Sequence, residues 1–395
     1  MSTKSEIVIL SAVRTPIGSF QGALASVAAP KLGARAVSAA IERAGLAPTA
    51  IDQVNLGCVL PAGLGQAPAR QAALAAGCPE GTGAVTLNKV CGSGMRAIMM
   101  AANDLRCGDF GVVVAGGMEN MSQAPYLVPG VRDGLRLGHG KLVDSMTYDG
   151  LWDPYNEVPM GNCAEICVRE YGFTREAQDA FALESYTRAR ASTEEGRFAA
   201  EIVPVEIKGR KGVVVVDRDE EPFRVDLDKM PTLKPAFEKD GTVTAANASK
   251  INDGAAAVVL TTADEAARLG VKPLARIVAH ASAAQKPEWF TTAPVAAAKR
   301  VLERAGMSAE QIDLWEINEA FAAVAMAFNH ELGLDMAKVN VHGGAVALGH
   351  PIGASGARIV VTLLHALRAR GQRFGGAAIC IGGGEATAMI IERLD

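Results

Sequence analysis

A surplus of charge of either sign is missing from this sequence. Its 39 Lys and Arg against 43 Asp and Glu leave a formal net charge of −4 over 395 residues, with no strong basic cluster. That balance argues against a nucleic acid or an acidic membrane surface as a partner. Aromatic residues are scarce at 5%, whereas 49% of the chain is hydrophobic and 42 residues are glycine. This is the composition of a large α/β protein rich in alanine and glycine, and not of a disordered or fibrous one. No apolar run reaches membrane-spanning length. The seven cysteines (Cys58, Cys78, Cys91, Cys107, Cys163, Cys167 and Cys380) are odd in number and scattered, which points to a reducing compartment and not to a disulfide framework. Met1-Ser2-Thr3-Lys4-Ser5-Glu6 runs directly into an apolar strand pattern with no basic leader. The expectation is a soluble cytoplasmic protein of two or more domains, or of one duplicated unit.

A duplication is legible. Glu42-Arg43-Ala44-Gly45-Leu46 returns as Glu303-Arg304-Ala305-Gly306-Met307, and Ile51-Asp52 as Ile312-Asp313. Ser93-Gly94-Met95-Arg96 returns as Ser355-Gly356-Ala357-Arg358, and Gly116-Gly117-Met118-Glu119 as Gly382-Gly383-Gly384-Glu385. The matches keep one order, and the period is too long for a solenoid. Two similar halves of alternating strand and helix follow, hence an α/β fold. The first half is expected over 1–121, completed by about 251–270, and the second over 271–395. Segment 122–250 is rich in proline, glycine and charge and reads as an inserted lobe. It holds one clear helix over 174–195, with Thr174 as N-cap. Expected strands are 6–13, 53–60, 111–115, 213–216 and 254–261. Helices are expected over 31–44, 67–76 and from the Cys91 turn to Arg106.

Four places carry chemistry. In Asn88-Lys89-Val90-Cys91-Gly92-Ser93-Gly94, a cysteine precedes a turn and a helix-forming run. A thiol at a helix start meets unpaired N–H groups and the positive end of the dipole, so a lowered pKa and a nucleophilic thiolate are expected. The alternative is a small buried residue before a helix. His350, in Gly349-His350-Pro351-Ile352-Gly353, is the expected base for such a nucleophile, against a histidine merely bonded to backbone. Cys380 stands two residues before a glycine pair, where Val114 stands in the first copy. It is a second reactive thiol or core packing. Asn318 can offer an amide to a water or an oxyanion, while its neighbour Glu319 reads as a buried structural partner. Cys163 and Cys167 are four apart but lack a partner cluster, so packing is expected.

Asn88-Lys89-Val90-Cys91-Gly92-Ser93-Gly94, Asn318-Glu319-Ala320-Phe321, Gly349-His350-Pro351-Ile352-Gly353 and Cys380-Ile381-Gly382-Gly383-Gly384 together resemble the thiolases, most of all the acetyl-CoA acetyltransferases of the mitochondrial type. The resemblance runs from about Ile7 to Arg393. It implies a duplicated five-layer α-β-α-β-α fold with an inserted loop lobe, and reversible condensation of two acetyl-CoA to acetoacetyl-CoA and CoA. Cys91 would carry the acetyl group and His350 would take its proton. Cys380 would exchange the α-proton. Asn318 would hold a water at the enolate, and the N–H groups of Cys91 and Gly382 would serve the tetrahedral intermediate. No cofactor is implied for the chemistry; coenzyme A and acetyl-CoA are substrates.

By the same resemblance, Arg224, Val225, Asp226 and Lys229 would contact the CoA nucleotide, Ser249 the pantetheine and Met160 the substrate pocket. Tyr186, Ala245, Ala246, Ala248 and Val346 would hold a potassium ion, four of them through backbone carbonyls. Each has a plainer reading: a surface charge for Arg224, a local turn bond for Ser249, core packing for Met160 and Tyr186. Pro159-Met160-Gly161 departs from the family's histidine-methionine-glycine, which bears on CoA affinity and acyl preference. Gly384-Glu385-Ala386 departs from its glycine-methionine-glycine, and Glu385 is expected to be structural. The family further implies a homo-oligomer, most often a tetramer. The alternatives are a 3-ketoacyl-CoA thiolase for longer or branched chains, and a non-catalytic CoA-thioester-binding subunit.

Overall fold

The computed structural model describes residues 6–210 and 212–395; the reading of Met1–Ser5 lies outside them. The first half runs through strand Ile7–Arg14, helix Ala29–Arg43, strand Gln53–Gly57, helix Pro68–Ala75, strand Gly83–Leu87, helix Ser93–Cys107 and strand Val112–Asn120. After a long insertion, strand Asn252–Thr262 completes it. The second half repeats the order: strand Ala275–Ala284, helix Ala293–Ala305, strand Leu314–Ile317, helix Ala322–Leu332, helix Ile352–Arg370, then strands Phe374–Ile381 and Glu385–Arg393.

Across the sheet the first half reads 83–87, 53–57, 112–120, 252–262, 7–14, and the second 314–317, 374–381, 385–393, 275–284. The counterpart of edge strand 83–87 shrinks to one parallel bridge, Trp315 with Val339. Strand 53–57 is parallel to both neighbours, as helical crossovers require. The halves join edge to edge where Val8 and Ile9 pair with Arg276 and Ala275.

Because helices cover both faces, the strands are continuous apolar runs and not alternating ones. Val8, Leu10, Val54 and Val114 pack outward beneath helices 29–43 and 68–75. Ile7, Ile9, Val113 and Ala115 pack inward, in one core with Met95 and Ile98 of helix 93–107, Ile359 and Val360 of helix 352–370, and Ile379 and Met389 of the second sheet. Helices 293–305 and 322–332 cover the far face with Val301 and Phe328. The five layers follow, as expected. Helix 352–370 is buried at every position from Ile352 to Leu367, which its lack of a polar face demands in the middle layer.

The repeat explains how the two central helices meet. A Cβ on Gly94 would lie 2.7 Å from Ala357 N, and one on Gly356 would lie 2.5 Å from Met95 N. These contacts are images of each other under the duplication. The two Ser-Gly starts therefore touch back to back and bring the N-terminal ends of both helices to one place.

The repeat also breaks in one respect. Strand 112–120 continues through Gly116-Gly117-Met118-Glu119, beyond the expected end at Ala115. Gly382-Gly383-Gly384 is instead a turn joining strands 374–381 and 385–393, with φ of +86° at Gly383 and +81° at Gly384. The inserted lobe leaves the first half at this same corner. It contains helices Met160–Tyr171 and Arg175–Glu194, the second capped by Thr174, whose hydroxyl accepts the Ala177 N–H at 3.1 Å. It also contains the hairpin of strands Val205–Gly209 and Gly212–Val216. Arg14 anchors it: buried Nε donates to Glu201 at 2.5 Å, and the terminal nitrogens to both oxygens of Asp219 at 2.7 and 2.9 Å.

Candidate active site

Cys91 sits on a strained elbow. Val90, a β-branched residue, holds φ of +44°, a conformation that costs about 1–3 kcal/mol and persists only where its surroundings impose it. Those surroundings are the Asn88 side chain, which accepts the Val90 N–H at 2.9 Å, and Ser93 Oγ, which accepts the Lys89 N–H at 2.8 Å and donates to Val90 O at 2.7 Å. Lys89 is ion-paired with Glu385, the residue after the glycine turn. Unlike Glu119, it lies at the surface end of the turn. A Cβ on Gly92 would lie 2.3 Å from Ile381 Cδ1. The bare glycine lets the Cys91 elbow press against the strand that carries Cys380.

Opposite lies His350. Its backbone N–H is accepted by Asn252 Oδ1 at 2.8 Å, and Asn252 also donates to Gly18 O at 3.0 Å. Gly349 has φ of +108°, and a Cβ there would strike the Asn252 amide at 2.5 Å; no other residue lets the chain turn over Asn252. The ring contacts Ser355 Oγ through Nδ1 at 2.6 Å and Asn318 Nδ2 through Nε2 at 3.5 Å. Ser355 Oγ also lies 2.9 Å from Pro351 O, which can only accept. The serine hydroxyl therefore donates to Pro351 and accepts from His350. This assigns the proton to Nδ1 and leaves the Nε2 lone pair free toward Asn318.

Glu119 fixes the frame. Its buried carboxylate accepts N–H bonds from Val59 at 3.0 Å, Leu60 at 3.2 Å and Gly353 at 2.8 Å, tying the two halves together three residues beyond His350. Burial nevertheless raises it to a pKa of about 7. Glu319 is fully buried, as expected, and accepts from Ser185 Oγ at 2.8 Å, Asn340 Nδ2 at 2.7 Å and Val346 N at 3.1 Å. It holds the Asn318 loop against the segment leading to His350.

The electrostatics correct one expectation. Cys91 is half-buried and lies before Gly92, the N-cap, so it stands outside the helical turn proper. Loss of water pushes its thiol up to about 11, although the N–H groups of Gly382 and of Cys91 itself favour the thiolate. Desolvation outweighs the helix start. Burial, reinforced by the neighbouring Cys91 charge, raises Cys380 well above the ordinary thiol range. Burial, with Arg358 adding to it, lowers His350 to about 3. At neutral pH the site holds two thiols and a neutral imidazole.

An apolar cavity of about 250 Å³ is lined by His350 together with Met160, Phe237, Ser249, Phe321 and Ile352 among others. Met160 and Ser249 thus face the same cavity. Gly382 lies beside the cavity, where an added Cβ would come within 3.7 Å of Met160 Cε. Ser249 is held by its N–H on Ala320 O at 2.9 Å, beside the Asn318 loop. Arg224, Asp226 and Lys229 are exposed and Val225 half-buried on the lobe, outside the cavity lining; Lys229 pairs with Asp226 at 2.8 Å. Cys163 and Cys167 are buried in helix 160–171, and Cys163 Sγ meets Asp153 Oδ2 at 3.5 Å.

The five potassium positions do not fit that ion. Tyr186, Ala246 and Val346 share one buried cluster and Ala248 is buried in another, with Ala245 in the same loop as Ala246 and Ala248. Lys250, which the sequence reading passed over, donates its ammonium to Ala248 O at 2.6 Å and Val346 O at 3.2 Å. A second unit cation about 4 Å away would be repelled by about 4 kcal/mol at an effective dielectric of 20.

Ser355, Asn252, Glu119 and Lys250 are the site residues that sequence reasoning missed. Ser355 and Glu119 stood inside recognised motifs, but nothing local marks them as partners of the His350 segment.

Family models described as the N-terminal and C-terminal domains of thiolase match residues 7–264 and 271–393. The chain is 54% identical to the acetyl-CoA acetyltransferase of Cupriavidus necator over 391 residues, 98% of this chain and 100% of the relative. It is 55% identical to the mitochondrial acetyl-CoA acetyltransferase of Bos taurus, over 99% of this chain and 92% of the relative. The crystal structure of the Acat5 thiolase from Ascaris suum in complex with coenzyme A superposes with a TM-score of 0.94 at 49% identity, covering 98% of this chain and 100% of that one. The Bacillus anthracis acetyl-CoA acetyltransferase gives 0.97 at 45%, with full coverage of both chains. With its doubled half, its paired cysteines and these relatives, the chain belongs to the thiolase family.

Proposed function

We propose that this chain is an acetyl-CoA C-acetyltransferase that condenses two acetyl-CoA to acetoacetyl-CoA and CoA, reversibly. One observation carries the reading: Cys91 of the first half neighbours Cys380 of the second, and Asn318 neighbours His350, whose ring lines an apolar cavity. Cys91 sulfur bonds the acetyl carbon as its proton passes to His350 Nε2. The C–S bond to CoA breaks, and the CoA thiolate leaves with the proton of the Cys380 thiol, so Cys380 becomes a thiolate while His350 keeps the Cys91 proton. Splitting the transfer through an acetyl-Cys91 thioester replaces one difficult step with two easier ones. Cys380 then takes the α-proton of a second acetyl-CoA. The carbanion attacks the acetyl carbon, the bond to Cys91 breaks, and the proton held on His350 Nε2 returns to the Cys91 sulfur while Cys380 keeps the α-proton. Burial suits Cys380 to this, because a desolvated thiolate is a strong base and its thiol a ready proton donor in reverse.

Both tetrahedral intermediates place an oxyanion beside the N–H groups of Cys91 and Gly382, which already point at the Cys91 sulfur. The enolate oxygen faces Asn318 and its water, and His350 joins as donor only when Nε2 carries a proton. The pantetheine arm lies along Met160 and Ser249, and Arg224, Val225, Asp226 and Lys229 meet the nucleotide outside. The short-chain reading is the activity named for relatives at 54% and 55% identity; no observation favours the longer-chain or non-catalytic alternatives. The chain works as a homo-oligomer, a tetramer by its family, in the cytoplasm. No helix among the described residues is long and apolar enough to cross a membrane. Exposed Tyr126, Val128, Leu135 and Leu137 in the lobe are an apolar surface suited to assembly.

The test is thiolytic cleavage of acetoacetyl-CoA by wild type and Cys380→Ser, with mass spectrometry of Cys91 after acetyl-CoA is added. The variant is expected to acetylate at Cys91 and lose turnover by orders of magnitude. A wild type that does not cleave acetoacetyl-CoA refutes the short-chain assignment.

A further inference from the structure

Lys250 follows Ser249 in the loop before strand 252–262, and its side chain folds back into the protein instead of reaching for solvent. Besides its bonds to Ala248 O and Val346 O, the ammonium stands over the face of Tyr186, 5.6 Å from the ring centre. Burial lowers its pKa to about 8, and the carboxylates of Glu221 and Glu319 work against that fall and favour its charge. Tyr186 is fully buried, with a hydroxyl that has no protein partner. Two carbonyl oxygens, an aromatic face and two carboxylates in a desolvated pocket are the surroundings that a buried monovalent cation needs. The three segments held are those of the site. Ala248 precedes Ser249 in the cavity wall, Val346 lies four residues before His350, and Glu319 follows Asn318. Glu319 accepts the Val346 N–H while Lys250 donates to the Val346 carbonyl, so opposite charges grip one peptide residue from both sides.

We infer that the Lys250 ammonium is a covalently tethered substitute for a monovalent metal ion. It clamps the Ser249 loop to the segment leading to His350, and makes the fold and the activity indifferent to potassium. Lys250 is on this view a positioning residue. The inference deepens the thiolase reading, but its stability readout stands if that reading fails.

The experiment compares melting temperature, and KM for CoA in thiolysis, in potassium, sodium and choline chloride at equal ionic strength. Wild type, Lys250→Met and Lys250→Gly are measured. Wild type is expected to give the same values in all three salts. Lys250→Met, which fills the space without charge, should melt lower and show a KM raised several-fold in every salt. Lys250→Gly should recover both melting temperature and KM in potassium and not in choline. Three results would overturn the inference: a wild type that potassium stabilises as much as it stabilises Lys250→Gly, a Lys250→Gly that no cation rescues, or a Lys250→Met indistinguishable from wild type. Should Lys250→Met not fold, the wild-type and Lys250→Gly salt series decide alone.

Discussion

Replacing Ser355 by alanine removes one oxygen, the acceptor 2.6 Å from His350 Nδ1. In the native site that oxygen accepts from the imidazole and donates to Pro351 O, so the Nδ1–H tautomer is favoured and Nε2 is free to take the Cys91 proton. In Ser355→Ala the buried Nδ1–H has no partner, and stranding such a donor costs about 1–3 kcal/mol. The ring avoids that cost by moving its proton to Nε2, which abolishes the base. Whichever form is populated, about 1–3 kcal/mol separates the reactive state from the resting one. At about 1.4 kcal/mol per decade this is roughly a 5- to 150-fold loss in kcat for thiolysis. KM for CoA should hold within about twofold, since Ser355 does not line the cavity. The assay is initial-rate loss of the acetoacetyl-CoA enolate absorbance, paired with 15N spectra of the imidazole. The wild-type spectrum should show protonated Nδ1 and bare Nε2. A Ser355→Ala enzyme with unchanged kcat, or a wild-type ring protonated at Nε2, would refute the assignment.

Three further outcomes follow from the geometry. With its pKa raised to about 11 by burial, Cys91 should be alkylated by iodoacetamide at a rate rising about tenfold per pH unit from 7 to 10. Peptide mass spectrometry separates it from exposed Cys107, and a plateau near neutrality would mean a resting thiolate. Arg14→Met strands Glu201 and Asp219 in the interior. It should lower unfolding free energy by about 3–5 kcal/mol in urea, and a change under 1 kcal/mol would show that the lobe is anchored elsewhere. Gly344→Ala would put a Cβ 2.2 Å from the Glu319 carboxyl carbon. The clash should cost at least about 1–3 kcal/mol and displace Asn318, lowering both melting temperature and kcat; a Gly344→Ala enzyme with native values of both would contradict the placement of Glu319.

Local signals determined much of this protein. The duplication was legible because Ser-Gly helix starts and glycine turns are chosen by backbone conformation and close approach, which leave residue types at fixed offsets. The N-cap Thr174 and the strand run before the first glycine cluster were legible for the same reason. Cys91, His350, Cys380 and Asn318 stood out as candidates because each is embedded in a turn-rich segment. Tertiary structure alone decided how these groups behave. Helix geometry predicted a lowered pKa at Cys91, but the surrounding burial raised it, and burial is a property of many contacts and not of one turn. The matching of Gly116-Gly117 to Gly382-Gly383 hid a continuous strand in one half and a tight turn in the other, because only the first half opens there into the lobe. Asn252 holds His350 from 98 residues away, and Lys250 reaches Val346 across 96. No spacing or periodicity signals partners so distant. They are set when the chain closes, as each buried donor and charge is left with whichever acceptor the packing has brought within reach.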